Sequence, residues 1–378
     1  MESIPLLTSL CLALALGYFF TALYMLSFPR PRQAPNGGDK RVAVLVAMRN
    51  EERTIAACLK ALEGQDYPSA LYDVYIIDDQ STDRSADIAL AFVQHNRNFH
   101  LLKIREDKYG LHGKMNALSQ ALETVQSEII LITDADCIVP AGWIRAHCAY
   151  FGSDTGMVGA LTLLEPPDNL HPPEYRSGFF ARLQALDWIY LQSVAAASSN
   201  AGKPITILGN NFGFRKQAYD DVGGFKALGF SPTEDFVLMR AIEQTGRWKI
   251  KHTMDKESAI FSYPVRRLKG FFSQRLRWII GGHKARPWGY FIMGLAVAAY
   301  LAIILTLVKG QFNVFSAGAI GLVLGIDYLI IKQQTRKTGL NHLLVWFLPY
   351  EIFHFAYTLF FALIAFLPLK IHWKGRKI

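Results

Sequence analysis

A run of about 23 residues without a charge, "LLTSLCLALALGYFFTALYMLSF" from Leu6 to Phe28, constrains this chain before anything else, because a helix of that length crosses roughly 30 Å of hydrocarbon. It predicts a transmembrane helix over residues 1–28. A cleaved leader would need a basic start and a small-residue cleavage site, whereas the chain opens Met1-Glu2 and the run ends in "SFPRPRQAP". Arg30, Arg32, Lys40 and Arg41 follow the helix and nothing basic precedes it, so the positive-inside bias places the chain after Phe28 in the cytoplasm.

Three further apolar spans, Tyr290 to Val308, Phe312 to Ile331 and roughly His342 to Leu367, fill residues 289–368 and are separated by "KGQ" and "KQQTRKTGLN". Three crossings put the second connection in the cytoplasm but leave the basic tail, residues 369–378, on the far side, against the bias. Either the last span, which contains Pro349, Glu351 and His354, re-enters, or the early loops fix the topology; four crossings are expected. The formal charge of +9 gathers around these segments, where Lys and Arg meet anionic headgroups, which argues for a membrane and against a nucleic-acid partner. Cys11, Cys58, Cys137 and Cys148 show no CxxC spacing and face a reducing compartment, so neither a zinc site nor a disulfide framework is expected.

After a Pro- and Gly-containing linker, residues 29–40, the pattern changes. "RVAVLVA", "DVYIID", "FHLLKI" and "EIILIT" are short apolar runs, with helical patterns from about Glu52, Arg84 and Lys114 between them. Such a βαβ series predicts an α/β domain, placed at 41–262, with a parallel sheet covered by helices on both faces. Ligands in these sheets bind beyond the carboxyl ends of the strands. The turn after the first strand, "AMRNEERT", lacks the glycines of a GxGxxG pyrophosphate loop, which excludes an NAD-type site there.

Carboxylates stand at those strand ends. "IIDDQSTDRS" places Asp78 and Asp79 after the second strand, and "LITDADCIV" places Asp134 and Asp136 after the fourth. Residues two apart on an extended chain point to one side, so Asp134 and Asp136 share a face. Acids converging on an apolar rim repel unless a cation joins them, which points to a hard divalent ion such as Mg²⁺ or Mn²⁺. Asp83 is expected only to cap the following helix.

"LVAMRNEERT", "IIDDQSTDRS", "GLHGKMNAL", "TDADC", "GNNFGFRKQAYDDVGGF", "TEDFVLMRAI" and "QRLRW" occur in this order. Together they resemble the family 2 inverting glycosyltransferases of GT-A fold, in the membrane-bound branch with a Q-x-x-R-W motif: hyaluronan, cellulose, chitin and poly-N-acetylglucosamine synthases and ceramide glucosyltransferase. The resemblance implies a UDP-sugar donor whose uracil and ribose meet Glu51 with Asp78 or Asp79, and whose diphosphate meets Lys114. It implies Asp134 and Asp136 as a D-x-D, with Asp136 the direct metal ligand and Asp134 nearer the ribose or donor sugar. Asp235 matches the general base, with Glu234 beside it, and Gln274, Arg277 and Trp278 match Q-x-x-R-W. Met48-Arg49 stands where many relatives have proline, and the loop at Asn210 and Asn211 is looser than in processive enzymes, so donor and acceptor identity stay open.

The implied reaction is a single displacement onto a lipid acceptor embedded in the membrane, or, alternatively, processive extension of a glycan. Residues 263–288 are expected to form an amphipathic helix in the interfacial plane. At 100° per residue Leu268, Phe272, Leu276 and Ile279 share an apolar face, Gln274, Arg277 and Trp278 share the opposite one, and Arg275, near the apolar face, is expected to snorkel to headgroups.

Overall fold

The computed structural model describes residues 5–33, 40–166, 175–282, 285–365, 367, 372–373 and 376–377; part of the linker and most of the basic tail lie outside the described residues. In chain order, helix α1 (Leu6–Leu26) precedes β1 (Val42–Met48), α2 (Ile55–Glu63), β2 (Tyr72–Asp78), α3 (Ser85–His95), β3 (Phe99–Lys103), α4 (Gly113–Leu122) and β4 (Ile129–Asp134). Then come β5 (Thr155–Gly159), α5 (Phe179–Asn200), β6 (Asn211–Arg215), α6 (Glu234–Gln244), β7 (Lys249–His252), α7 (Leu268–Gly281), α8 (Pro287–Val308), α9 (Val314–Thr338) and α10 (Phe347–Ile364).

The chain divides into two compact units, one of residues 30–176 and 206–264, the other of 1–29, 177–205 and 265–378. The domain expected over 41–262 is therefore interrupted. Helix α5 belongs with the apolar helices because its inward residues, among them Leu186, Asp187, Ile189 and Ala195, are buried and it packs on α9 and α10.

In the first unit the sheet runs β3-β2-β1-β4-β6-β5-β7. The strands read from the sequence, β1 to β4, pair in parallel, and β1, "VAVLVAM", is buried almost throughout, as a strand covered on both faces must be. The sheet as a whole is mixed, because β6 runs antiparallel to both β4 and β5. A smaller sheet pairs Cys137–Ile138, Ile260–Ser262 and Thr162–Leu163. Cys58, Cys137 and Cys148 are buried packing residues, as is Cys11 in the other unit.

In the second unit, Leu6–Leu26, Pro287–Val308, Val314–Thr338 and Asn341–Ile364 are long and apolar enough to cross a membrane. The third span runs past Ile331 to Thr338, where Gly339, at φ 78°, ends it in a left-handed cap that suits a residue without Cβ. Pro349 does not interrupt the last span. It sits in the first turn of α10, where the missing N–H has no intrahelical partner to lose. Glu351 and His354 are buried on the inner side of that helix.

Candidate active site

The strand order changes direction at β1, whose neighbours are β2 and β4, and it is beyond the carboxyl ends of strands at such a point that sheets of this kind bind ligands. The register sets what stands there: Met48 at the end of β1 pairs with Asp78 on one side, and Ala47 pairs with Asp134 on the other. Asp78 is buried, and its Oδ1 accepts the Ser81 N–H at 3.0 Å. The buried Asp79 carboxylate lies 3.6 Å from the Arg49 guanidinium.

The loops after β1 and β2 are stitched together. Asn50, at φ 56°, accepts the Thr82 N–H at 2.8 Å, a conformation that asparagine tolerates better than most residues. The Glu51 N–H donates to Ser85 Oγ at 2.7 Å, and the Glu51 carboxylate accepts the Thr54 hydroxyl at 3.1 Å. Asp83 accepts the N–H groups of Ser85 and Glu52, so it joins the two loops at the start of α3 and does more than cap the helix, whose N-cap is Arg84. Glu51, Asp78 and Asp79 thus stand together on two loops joined by hydrogen bonds at the strand ends.

The other side is built on the ends of β4, α4 and α6. Asp134 is the last residue of β4 and Asp136 lies in the turn that follows, so the extended alternation expected across this pair stops at Asp134; both are half-buried while Ala135 between them is buried. Lys114, in the first turn of α4, reaches across to Asp134 Oδ1 at 2.6 Å, the Gly209 carbonyl at 2.7 Å and Glu234 Oε1 at 2.9 Å. An ammonium has three protons, and here each has a protein acceptor. A diphosphate contact by Lys114 would require one of these to be released. Burial alone would lower the Lys114 pKa, but the carboxylates of Asp134 and Glu234 beside it raise it above the ordinary lysine value.

Glu234 and Asp235 open α6, where the helix dipole favours negative charge. Asp235 Oδ1 accepts the Phe236 N–H at 2.8 Å, so the carboxylate has a capping contact as well as a place in the site. Gly209 packs against both acids: a Cβ there would stand 3.0 Å from Asp235 Oδ2 and 3.3 Å from Glu234 Oε1. Among the described residues no three His, Cys, Asp or Glu side chains are arranged to hold a metal by themselves. The two half-buried carboxylates of Asp134 and Asp136 do fit a hard cation that takes its remaining oxygens from a phosphate-bearing substrate.

Sequence reasoning missed Gly209 and the Lys114 to Glu234 pair, since it set Glu234 only beside the expected base Asp235 and gave it no partner. It also left Asn211 in a loose acceptor loop. Asn211 is a core residue: its Oδ1 lies 2.9 Å from Trp143 Nε1 and 3.0 Å from His147 Nε2, and its amide donates to the carbonyls of Leu161 and Ser258. Burial pushes the His147 imidazole down to about 4. His112 is a turn residue whose Nδ1 lies 2.7 Å from Asp107 Oδ2.

In the second unit, α7 carries Gln274, Arg277 and Trp278, all partly buried. Its apolar face divides: Phe271 is buried with Tyr357 and Phe361, with Leu276 and Ile279 packed against them, while Leu268 and Phe272 are exposed. Arg275 does not snorkel. It is buried and ion-paired with Asp187 of α5, because a guanidinium on the face toward α5 and α10 has a carboxylate to meet there. Trp188 of α5 is buried and packs on Trp278 with ring centroids 5.1 Å apart.

A family model described as "Glycosyl transferase family 21" matches residues 7–378. Beta-monoglucosyldiacylglycerol synthase of Nostoc sp. is 29% identical over 260 residues, which are 68% of this chain and 53% of that protein. Poly-beta-1,6-N-acetyl-D-glucosamine synthase of Staphylococcus epidermidis is 26% identical over 253 residues, 64% of this chain and 55% of that protein. The chain spans about half the length of these curated relatives. Among solved structures, a mannosyltransferase of Pyrobaculum calidifontis in complex with GDP-Man and Mn²⁺ superimposes with a TM-score of 0.58 at 19% identity, covering 92% of this chain and 99% of that one. The GT-A fold is thereby shared.

Proposed function

This chain belongs to glycosyl transferase family 21, and on that premise we propose that it moves a sugar from a nucleotide-diphospho-sugar, a UDP-sugar in the first instance, to a lipid acceptor held in the membrane. The observation that carries the reading is the meeting of Asp134, Lys114, Glu234 and Asp235 at the strand ends, in a chain with helices able to cross a bilayer. The acceptor hydroxyl attacks the anomeric carbon while the nucleotide diphosphate leaves from the opposite face, which inverts the configuration. Asp235 accepts the hydroxyl proton; a positioned base of this kind contributes about 10²- to 10⁴-fold.

Lys114 holds the Asp134 and Glu234 carboxylates in place, and Glu51, Asp78 and Asp79 are assigned to the nucleoside. Asp134 already has a cation at one oxygen, which favours Asp136 as the residue that would hold Mg²⁺ or Mn²⁺, with Asp134 beside it. Such an ion, when bound with the donor, offsets the charge of the leaving diphosphate as a Lewis acid. Gln274, Arg277 and Trp278 are assigned to transfer on their motif. The reading sets the catalytic unit on the cytoplasmic side, and Arg30, Arg32, Lys40 and Arg41 after α1 support it through the positive-inside bias.

The test is paired. Asp235→Asn is expected to retain UDP binding in isothermal titration with Mn²⁺ and to lose transfer, whereas Asp136→Ala is expected to lose the metal-dependent part of binding too; full activity in either variant overturns the assignment. The second reading, processive extension of a glycan, draws support from the similarity to a poly-N-acetylglucosamine synthase. Labelled sugar recovered from membranes in the organic phase supports the lipid acceptor, and high-molecular-weight aqueous label the polymer.

A further inference from the structure

The proposed reaction gives a part to Trp278 of α7 but none to Arg275, which stands three residues earlier on the same helix. The Arg275 side chain is 5% exposed and that of Asp187, its partner on α5, is fully buried. Asp187 is saturated: besides the Arg275 guanidinium it takes the Tyr357 hydroxyl at 2.5 Å and faces His354 Nδ1 at 3.0 Å. One turn earlier on α5, Gln184 clamps the chain entering α7, donating to the Val265 carbonyl at 2.9 Å and accepting the Val265 N–H at 3.0 Å. Helix α7 is therefore fixed to α5 at two points on one face.

Packing alone gives no reason for charges here, since apolar residues of similar volume commonly match or exceed a buried ion pair in stability. A guanidinium supplies something an aliphatic chain lacks, a flat cationic face, and here one of its nitrogens, Nη2, is held by the Asp187 carboxylate. The guanidinium lies against Trp278, with Arg275 Cζ 4.1 Å from the Trp278 ring centroid and 5.4 Å from that of Trp188, inside the range of cation–π attraction. The Trp278 indole thus rests on Arg275 and against Trp188.

We propose that Asp187 is a positioning residue for Trp278, acting through Arg275: its carboxylate holds the guanidinium against which the indole is seated. The inference rests on the reading that Trp278 takes part in transfer.

The decisive variant is Arg275→Lys in the full-length protein, because lysine keeps a charge for Asp187 but has no plane to offer the indole. Measured on the monodisperse, folded fraction, it is expected to keep the wild-type Tm and donor KM while kcat falls, on the order of 10²-fold for a misplaced group of this kind. Asp187→Asn is expected to lower kcat in the same direction and to lower Tm as well, since it strands a buried cation. A wild-type kcat in Arg275→Lys overturns the positioning role, even where Asp187→Asn fails to fold. Trp278→Ala, assayed in parallel, separates the two levels: full activity there overturns the part given to Trp278, whereas lost activity there with a wild-type kcat in Arg275→Lys overturns the positioning role alone.

Discussion

The Lys114 ammonium lies 2.6 Å from the Asp134 carboxylate, and this contact ties the first turn of α4 to the end of β4. Because the same ammonium also meets Glu234, the D-x-D strand end and the acidic start of α6 share one cation. The two acidic motifs are thereby a single electrostatic unit.

Lys114→Met should separate them. It leaves Glu234, 6% exposed, without its cation, at a cost of about 1 to 3 kcal/mol for a stranded buried group, and transfer should be lost. The pH dependence has a definite sign. Lys114 has a raised pKa in the fold, so its contribution is fully present below the unfolded value of about 10.4 and is lost only as pH rises through the higher folded one. The Tm difference between wild type and Lys114→Met should stay constant from pH 7 to about 10; a difference that shrinks over that range contradicts the pairing.

Gly209→Ala tests the packing of the proposed base. Its new methyl would stand 3.0 Å from Asp235 Oδ2 and 3.2 Å from Cγ, so the carboxylate must turn away rather than the backbone move. Transfer should fall at least about ten-fold, while Tm changes by no more than ~1 kcal/mol equivalent, since only a side-chain end is displaced. Equal loss of Tm and activity would place the effect in folding instead.

What the sequence made legible followed periodicity. The apolar runs gave β1 to β4 and the spans, and Asp134 stands at the end of β4 as that pattern requires. What it hid depends on partners distant in the chain. Helical angle sets Arg275 near the apolar face, where a cation is expected to snorkel, and only the approach of Asp187, 88 positions earlier, keeps its head buried. Asn211 looks like a loop residue until Trp143, His147, Leu161 and Ser258 converge on it. Gly209 gives no local signal because its value lies in the side chain it lacks. The antiparallel β6 escaped because no hairpin turn joins it to β4.

Glu351 and Asp187 show opposite solutions to burying a carboxylate, and the contrast yields the last prediction. Asp187 has an arginine, a histidine and a tyrosine around it. Glu351, 3% exposed on α10, has no hydrogen-bond partner for either oxygen among the described residues. Its neighbourhood adds no relief: Asp327 of α9 is also buried, takes the Tyr18 hydroxyl at 2.7 Å and leaves Oδ2 without a partner. A polar group buried without compensation costs roughly 1 to 3 kcal/mol in proteins, and α10 lies in a segment long and apolar enough to cross a membrane, where an acid would be expensive by every scale. Glu351→Met fills similar volume without that cost and should raise Tm in detergent by several degrees, whereas Asp187→Leu, which strands Arg275, should lower it by an amount on the order of 3 to 5 kcal/mol. A fall in Tm for Glu351→Met would mean that the carboxylate is satisfied in the membrane, by water or by a lipid hydroxyl, and that its acidity is part of the fold.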